Sequence, residues 1–255
     1  MRLEDKVCLV TGAGSGIGAA VARTFAQAGG RVILADVNEA AVQRVADDIP
    51  GGRAIALDVS DSGQADAAVH EVVEREGRLD VLIHFAGIDD PAVKQRFADF
   101  LQTGVREPVG TEISDAQWSR MMRVNLDGSF YMIRAALRAM IPNRAGSIVA
   151  MSSVGGIEGV MGYGHYCAAK AGVIALVKSF AKEVAEWGIR VNAVAPDPVR
   201  TPMSAPTPAS LIPKLPIGRY AEPEEIARAT LFLASDDASY VSGETLILSP
   251  GRLTI

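Results

Sequence analysis

The feature that most constrains the fold is a regular alternation of short apolar stretches with longer stretches of helical periodicity. Each apolar stretch ends at glycine or polar residues, which is typical of a buried strand. Repeated strand–helix units predict a parallel sheet covered by helices on both faces, with right-handed crossovers. We therefore predict an α/β fold with a doubly wound parallel sheet in three layers, as a single domain over residues 1–255.

The predicted elements follow from apolar periodicity and from glycine and proline stops. The predicted strands are Val7–Val10, Arg31–Ala35, Arg53–Leu57, Val81–Phe85, Ser147–Met151, Val191–Val194 and Thr245–Leu248. The predicted helices are Gly16–Ala28, Glu39–Asp48, Ser62–Glu76, Ala116–Met140 with a kink near Gly128, Tyr166–Trp187 and Glu224–Ala234.

Two long segments interrupt this alternation, at about 88–115 and about 197–222. Both follow predicted strands, and ligands of such sheets lie beyond the carboxyl ends of the strands. Long connections in compact domains are usually walls or lids of sites. In the first segment Val93, Phe97, Phe100 and Leu101 recur at helical spacing before Gly104, which predicts an added short helix with one apolar face.

A glycine-rich turn follows the first predicted strand and opens the first predicted helix. Glycines allow a backbone to approach a pyrophosphate, and the helix start offers free N–H groups and a positive dipole end. The arrangement predicts a Rossmann-like dinucleotide site. The expected contacts are Gly12, Ser15, Gly16, Ile17 and Gly18.

Asp36 ends the second predicted strand, where an acid is expected to meet the adenosine ribose. A carboxylate accepts hydrogen bonds from ribose hydroxyls and repels a 2′-phosphate. At about 4 Å this repulsion amounts to about 4 kcal/mol at an effective dielectric of about 20. No basic residue flanks Asp36, so NAD is predicted over NADP; the alternative is that Asp36 caps the next helix.

Tyr166 and Lys170 lie four residues apart, which places them on one face of a predicted helix. A free phenol has a pKa of about 10, and a nearby ammonium favours the phenolate. Such a tyrosine is a usable acid or base. This spacing is common in helices and is weak evidence by itself.

Together with the glycine turn, Asp58-Val59, Asn125 and Ser153, this pair resembles the short-chain dehydrogenase/reductase family in its single-domain branch, from about Leu3 to Gly251. The resemblance implies that Tyr166 is the acid or base for the substrate oxygen. It implies that Ser153 bonds that oxygen and that Lys170 lowers the pKa of Tyr166 and binds the nicotinamide ribose. Asn125 would hold a water next to Lys170.

The resemblance also implies further cofactor contacts at the ends of later strands. These are Asp58 and Val59 at the adenine, Ala86 and Gly87 at the adenosine ribose, Tyr166 and Lys170 at the nicotinamide ribose, and Pro196, Val199 and Thr201 at the nicotinamide. The family is commonly tetrameric, with pairing through long helices, so a homotetramer is expected.

Several of these residues have plainer interpretations. Ser152, beside Ser153, could bond backbone at a strand end, and Asn125 could satisfy a helix kink. Tyr163 either lines the substrate pocket or packs. His165 could line the pocket, and Cys167 is interpreted as a buried small residue. His70, His84 and His165 lack metal-ligand spacing, so no metal is expected.

The chain departs from the usual family pattern at four places. His84-Phe85-Ala86-Gly87 replaces Asn-Asn-Ala-Gly, which puts local hydrogen bonding in doubt. Pro196-Asp197 replaces Pro-Gly and adds a charge near the nicotinamide. Ser249-Pro250-Gly251 replaces Asp-Gly-Gly, in a segment that normally concerns subunit contacts. The segment before Asn125 is longer than is common; its added helix could pack on the core, lie in a subunit interface or, as we favour, form the pocket wall.

The expected function is an NAD-dependent hydride transfer between nicotinamide and a secondary alcohol or ketone. Met161, Tyr163, Phe97 and Leu211 suggest an apolar or ring-bearing substrate. One alternative is a non-redox NAD-binding regulator on the same fold. Another is nucleotide-sugar epimerisation or dehydration, although those relatives usually carry a larger C-terminal domain.

Composition limits the partners and the compartment. The net charge of −5 gives no reason to expect nucleic acid or an anionic membrane as partner. Two cysteines, Cys8 and Cys167, are no disulfide framework and suggest a reducing compartment. No apolar run reaches the roughly 18 residues of a membrane span, and the start of the sequence lacks a signal-peptide pattern. The expected location is cytoplasmic.

Overall fold

The chain folds around one seven-stranded parallel sheet with strand order β3-β2-β1-β4-β5-β6-β7. The computed structural model describes residues 2–104, 108–204 and 215–252. The strands are β1 Val7–Thr11, β2 Arg31–Asp36, β3 Arg53–Ala56, β4 Val81–His84, β5 Gly146–Met151, β6 Ile189–Pro196 and β7 Thr245–Leu248. The order reverses between β1 and β4, which creates the crevice where ligands of such sheets bind.

Helices cover both faces of this sheet and complete the predicted three layers. They are α1 Gly16–Gln27, α2 Glu39–Asp47, α3 Ser62–Glu76, α4 Pro91–Thr103, α5 Asp115–Met122, α6 Gly128–Met140, α7 Gly155–Glu158, α8 Gly164–Val184 and α9 Pro223–Ala234. Short 3₁₀ turns occupy Val109–Glu112, Ile141–Asn143, Ala185–Trp187, Pro202–Ser204 and Asp236–Ala238. None of the helices in the described ranges is long and apolar enough to cross a membrane.

Two apolar cores lie on opposite faces of the sheet, because the side chains of successive strand residues alternate between the faces. One core packs β-strand residues against α3, α6 and α8, and the other packs them against α1, α2 and α9. All five residues of β1 are buried. The predicted doubly wound fold is thereby confirmed.

The predicted helix Ala116–Met140 is the main correction to the element boundaries. It is divided into α5 and α6 by a π-helical turn at Arg123–Asp127. The distortion centres on Asn125 rather than on Gly128, because the Asn125 side chain exchanges hydrogen bonds with the backbone of Ile88 across the site. Gly128 instead provides space, since a Cβ there would lie 3.0 Å from Val59 Cγ2.

The predicted added helix is present as α4, and its Val93 and Ala98 are buried. The side chains of Phe97, Phe100 and Leu101 lie outside the described part of the structure, as do residues 105–107 of the first long segment. Of the second long segment, residues 205–214, which include Leu211, also lie outside it.

Candidate active site

The glycine turn after β1 is built by close backbone contacts. A Cβ on Gly18 would lie 2.1 Å from Gly12 O, and a Cβ on Gly12 would lie 2.8 Å from Ala86 N. Gly12 and Gly16 also have φ values of +70° and +53°, which favour glycine. No other residue type fits Gly12 or Gly18 without displacing backbone.

The start of α1 meets the requirements of a phosphate site. Within the described residues the Ser15 side chain makes no capping hydrogen bond to α1, and the first turn of the helix carries no acidic residue. The first N–H groups of a helix have no intrahelical partner, and the dipole there favours an anion. The glycine turn has no side chains at Gly12, Gly16 and Gly18 to block a ligand, and these N–H groups are free to bind an anion. Together they therefore fit the pyrophosphate of a dinucleotide.

Asp36 lies at the end of β2 directly beside the glycine turn. Its Oδ2 accepts a hydrogen bond from Gly14 N at 3.0 Å, and its Oδ1 accepts one from Asn38 N at 2.9 Å. The carboxylate does not cap α2, because Asn38 accepts the Ala41 N–H there at 3.0 Å. Among the described residues no lysine or arginine forms an ion pair with Asp36, so its charge faces the site uncompensated.

The predicted adenine contacts follow β3. Asp58 Oδ1 accepts hydrogen bonds from the Ser60 backbone at 2.9 Å and from its hydroxyl at 2.7 Å. These bonds hold the turn that begins with Asp58. Val59 is buried against Gly128 and brings the β3 turn next to α6.

Tyr166, Ser153 and Lys170 come together at the carboxyl ends of β5 and the start of α8. The Ser153 side chain is near enough to the Tyr166 phenol to lower its pKa, and Ser153 Oγ accepts the Gly155 N–H at 3.1 Å. Lys170 Nζ lies 5.7 Å from the centre of the Tyr166 ring and donates to Met151 O at 3.1 Å. The predicted tyrosine, serine and lysine therefore form one cluster.

Asn125 and Gly87 extend this cluster toward the end of β4. A Cβ on Gly87 would lie 2.6 Å from Asn125 Oδ1 and 3.3 Å from Lys170 Nζ. Asn125 is fully buried, and its side chain bonds Ile88 N at 3.2 Å and Ile88 O at 3.1 Å. The amide thus fixes the π turn to the β4 loop and stands close to the lysine.

The pKa of Tyr166 differs from the expectation based on the nearby ammonium. Burial raises the pKa of the Tyr166 phenol to about 12; the Ser153 hydrogen bond acts to lower it, and the charge of Asp89 acts to raise it. Burial also lowers the pKa of Lys170 to about 8. Burial is the largest cause and acts against the phenolate, so the raised pKa opposes the expected acidification of Tyr166. Its acidification by Lys170 remains a prediction.

The serine alternative is resolved by hydrogen bonding. The Ser152 hydroxyl is buried and donates to Lys170 O at 2.9 Å, so it links β5 to α8. Ser153 is the serine beside the phenol. The Cys167 thiol accepts the Val160 N–H at 3.2 Å, and partial burial raises its pKa. The residue is only half-buried, so the prediction of a buried small residue is wrong in that respect.

The segment after β6 returns to the glycine turn. A Cβ on Gly16 would lie 3.3 Å from Thr201 Cγ2, so Thr201 borders the phosphate end of the site. Pro196 O accepts the Val154 N–H at 3.2 Å, which joins the end of β6 to the Ser153 loop. Val199 is buried and its strand-like bridge to Ala221 anchors the segment.

His84 is fully buried below the cluster, where its Nδ1 lies 2.9 Å from Thr11 Oγ1. Thr11 Oγ1 also accepts the Ala86 N–H at 3.2 Å, so its own proton is free to bond an unprotonated Nδ1. Burial and the charge of Lys170 lower the pKa of His84 to about 3. The neutral imidazole thus makes one hydrogen bond, while its buried Nε2 has no hydrogen-bond partner among the described residues.

Asp90 is an unpredicted residue that ties the long first segment to α8. Its Oδ1 accepts the Ala92 and Val93 N–H groups at 3.0 and 3.2 Å. Its Oδ2 lies 2.9 Å from Gln117 Nε2 and 3.2 Å from His165 Nε2. Although burial acts to raise the pKa of Asp90, these hydrogen bonds outweigh it and the pKa is lowered. The Asp90-Pro91 pair is a helix-start signal, but the bond to His165 spans 75 positions and has no local signal.

Tyr163 and Lys94 complete the side of the site formed by the two long segments. The buried Tyr163 ring packs edge-to-face on Tyr166, with centroids 6.4 Å apart. Lys94 Nζ lies 3.2 Å from Asp89 Oδ2 and also donates to Met203 O. Helix α4 therefore contacts the Pro202–Ser204 turn near the site. Within the described ranges no cluster of three or more His, Cys, Asp or Glu residues could hold a metal ion.

The chain is similar over nearly its whole length to known reductases and dehydrogenases. The family model described as enoyl-(acyl carrier protein) reductase matches residues 12–252. A 3-oxoacyl-(acyl-carrier-protein) reductase of Thermotoga maritima is 40% identical, covering 98% of this chain and 99% of the relative. The meso-2,3-butanediol dehydrogenase of Serratia marcescens is 38% identical, covering 98% and 96%. The 3-oxoacyl-(acyl-carrier-protein) reductase of Escherichia coli is 36% identical over all of both chains.

Proposed function

The chain belongs to the short-chain dehydrogenase/reductase family, and from that premise we propose that it transfers a hydride between NAD and a secondary alcohol or ketone. Members of this family are oxidoreductases that use a nicotinamide cofactor. The observation that carries the proposal is the cluster of the Tyr166 phenol, Ser153 beside it and Lys170 Nζ 5.7 Å from the centre of the tyrosine ring. The names of the relatives give a secondary diol in one case and a 3-oxoacyl group in the others. A carbonyl or secondary carbinol is common to both.

Asp36 supports NAD as the cofactor. Its carboxylate is fixed by Gly14 N–H beside the glycine turn, and the exposed neighbour Val37 offers no positive charge for a 2′-phosphate. The residues proposed to hold the cofactor are Gly12, Ser15, Gly16, Ile17, Gly18, Asp36, Asp58, Val59, Ala86, Gly87, Tyr166, Lys170, Pro196, Val199 and Thr201. When bound, the nicotinamide supplies the hydride acceptor or donor.

The proton chemistry belongs to Tyr166. In ketone reduction its phenol donates the proton to the substrate oxygen, and in alcohol oxidation the phenolate accepts it. Ser153 holds the same oxygen and stabilises developing charge there. Because the pKa of Tyr166 is raised, the protonated form dominates at neutral pH and favours the reductive direction. The pKa of Lys170 is lowered to about 8, so the ammonium keeps its charge below about pH 8. There it is placed to stabilise a phenolate at Tyr166.

We place the substrate between Tyr166 and the two long segments. Tyr163 and the half-exposed Met161 lie on one side, and α4 and Met203 lie on the other. These side chains are largely apolar, which supports an apolar or ring-bearing substrate and the pocket-wall role of α4.

We also propose a homotetramer that uses α6 and α8. On these two helices Phe130, Tyr131 and Phe180 form a partly exposed aromatic cluster. The centroid of the Phe130 ring lies 5.9 Å from that of Tyr131 and 6.2 Å from that of Phe180. Light scattering of the purified protein checks the assembly.

The test is NADH formation or consumption with cyclic and aryl alcohols, vicinal diols, 3-oxoacyl thioesters and 2-enoyl thioesters, in wild type and Tyr166→Phe. We expect turnover with an alcohol–ketone couple and a loss of at least about 10³-fold in Tyr166→Phe with NAD binding retained. Oxidation should also accelerate from about pH 6 to about pH 8, above which Lys170 loses the charge that stabilises the phenolate, and reduction should not accelerate over this range, because only oxidation needs the phenolate.

The panel separates the alternatives. Binding of NAD without turnover of any alcohol or ketone would favour a non-redox regulator. Turnover confined to 2-enoyl thioesters would replace ketone reduction by double-bond reduction. Turnover that survives in Tyr166→Phe would remove the tyrosine from the mechanism.

A further inference from the structure

Arg252, in the segment after β7, binds carboxylates from two separate parts of the chain. Its Nε lies 3.0 Å from Asp197 Oδ2, and its Nη2 lies 3.1 Å from Asp197 Oδ1, which makes a two-pronged contact. Nη2 also lies 2.6 Å from Glu158 Oε1. The Asp197 side chain is only 7% exposed, whereas that of Arg252 is 36% exposed. Arg252, Asp197 and Glu158 together are termed the Arg252 clamp.

The clamp joins segments that border the proposed nicotinamide end of the site. Asp197 follows the last residue of β6, and its backbone N–H bonds Leu248 O at 3.0 Å. Glu158 ends α7, the short helix that begins two residues after Ser153. Gly251, with φ of +88°, directs the chain so that Arg252 reaches both carboxylates. The guanidinium therefore fixes the turn after β6 to the serine loop.

Electrostatics explain why this position requires a cation. Asp197 is a largely buried carboxylate, and Glu158 is a second one that reaches the same guanidinium. Removal of one partner of a buried pair leaves an uncompensated charge, which is far more costly than the net gain of the pair. The Asp197 oxygens have a further partner in Ser249 Oγ at 3.3 Å, but a hydroxyl does not neutralise them.

The clamp also connects two of the places where the chain departs from its family. Asp197 stands where glycine is usual, and Ser249-Pro250-Gly251 stands where Asp-Gly-Gly is usual. Ser249 and Arg252 are the partners of Asp197. Asp197 is less flexible than the glycine usual at this position and adds a negative charge. The segment after β7, which also differs from the usual pattern, supplies the residues that bind this charge.

We propose that Arg252 is a positioning residue that holds the Pro196–Thr201 turn, through Asp197, in the conformation that receives the nicotinamide end of NAD. The inference rests on the proposed function. Arg252 does not touch the reacting atoms. Its contribution is to pre-order the turn, so that the binding of NAD does not have to order it.

The experiment is a double-substitution cycle with Arg252→Ala, Asp197→Asn and both together, with Arg252→Lys as the conservative variant. Calorimetric titration gives the Kd of NAD, steady-state kinetics give KM for NAD and kcat, and thermal melting without cofactor reports stability. Arg78→Ala is the control, because the half-exposed Arg78 binds the largely buried Asp80, with Nε 2.9 Å from Oδ2, just before β4 at the opposite end of the sheet.

We expect Arg252→Ala to raise the Kd and KM of NAD about 5- to 10-fold with a smaller change in kcat. The double variant should be no weaker than Arg252→Ala, since both substitutions break one interaction. Arg252→Lys should recover part of the affinity, and Arg78→Ala should bind NAD like wild type. If Arg252→Ala does not fold, Arg252→Lys and Asp197→Asn carry the same comparison.

The results that overturn the inference are distinct from those that overturn the function. Unchanged NAD affinity in Arg252→Ala, with or without a lower melting temperature, refutes the positioning role. Additive losses in the double variant refute the coupling of Arg252 to Asp197. Failure of the wild type to bind NAD refutes the proposed function, and the role of the clamp with it.

Discussion

The glycine turn after β1 and the long segment 88–115 border the same crevice but are held in different ways. The turn is shaped by its own backbone, with Gly12 and Gly18 almost in contact. Helix α4 of the long segment is held by charged side chains, through Asp90 to His165 and through Lys94 to Asp89 and Met203. A site formed by local backbone can be recognised in sequence, whereas a wall held by distant side chains cannot.

The sharpest way to break the first region is Gly18→Ala. A Cβ at this position would lie 2.1 Å from Gly12 O, so the turn must open or α1 must move. We expect NAD affinity to fall by more than about 100-fold, since the phosphate contacts depend on that backbone. The matched control is Gly110→Ala in the long segment, where an added Cβ meets nothing within 4 Å. Calorimetric titration measures both, and tight NAD binding by Gly18→Ala would contradict the assignment of the turn.

The preference for NAD over NADP tests the role of Asp36, which lies beside the glycine turn. Replacing Asp36 by Ser and Val37 by Arg removes the negative charge and adds a positive one at the proposed ribose site. Because repulsion of the 2′-phosphate is worth about 4 kcal/mol, the preference for NAD over NADP should change by about 100-fold or more. The ratio of kcat/KM with the two cofactors measures it. Glu39→Gln, at the exposed first residue of α2, is the control, and an unchanged ratio in the double variant would remove Asp36 from cofactor selection.

Asp90→Ala removes the contact that holds the long segment 88–115 against α8. It removes hydrogen bonds to the start of α4, to Gln117 and to His165, the residue before Tyr166. We expect kcat/KM for the ketone to fall about tenfold while the Kd of NAD is unchanged, because the attachment lies on the substrate side. Asp99→Asn on the exposed face of α4 is the control. An equal loss of NAD affinity would show that the two regions are not independent.

His84 affects the stability of the fold against pH rather than binding or turnover. Burial lowers the pKa of His84 to about 3 from 6.5, so below pH 6.5 the unfolded chain takes up a proton that the folded chain excludes. Stability is therefore full above pH 6.5 and is lost as the pH falls. By pH 5 this costs about 2 kcal/mol of unfolding free energy, a cost that His84→Asn should lack. Denaturant unfolding at both pH values checks this, with exposed His70→Asn as control. Equal acid sensitivity in wild type and His84→Asn would rule out this cause.

The strands were predictable because each is a short apolar run between breakers, and the observed ends differ from the predicted ones by at most two residues. The glycine turn and the Tyr166–Lys170 pair were also visible, since both depend on residues close in sequence. The division of the predicted Ala116–Met140 helix was not, because the Asn125 amide finds its partner in Ile88, 37 positions away. The state of the Tyr166 phenol was not predictable either, because its pKa follows burial more than the single nearby charge.

By itself the sequence determined the parallel α/β architecture, and it predicted the phosphate-binding turn and the roles of Tyr166, Ser153 and Lys170. Each of these follows from periodicity or from contacts within one or two helical turns. Only the tertiary structure decided that Asp90 is bound to His165 and that Arg252 holds Asp197 and Glu158. It also places Tyr166 where burial raises the pKa of its phenol. Ion pairs and desolvation act through space, and positions 55 or 75 residues apart become neighbours only when the sheet is assembled.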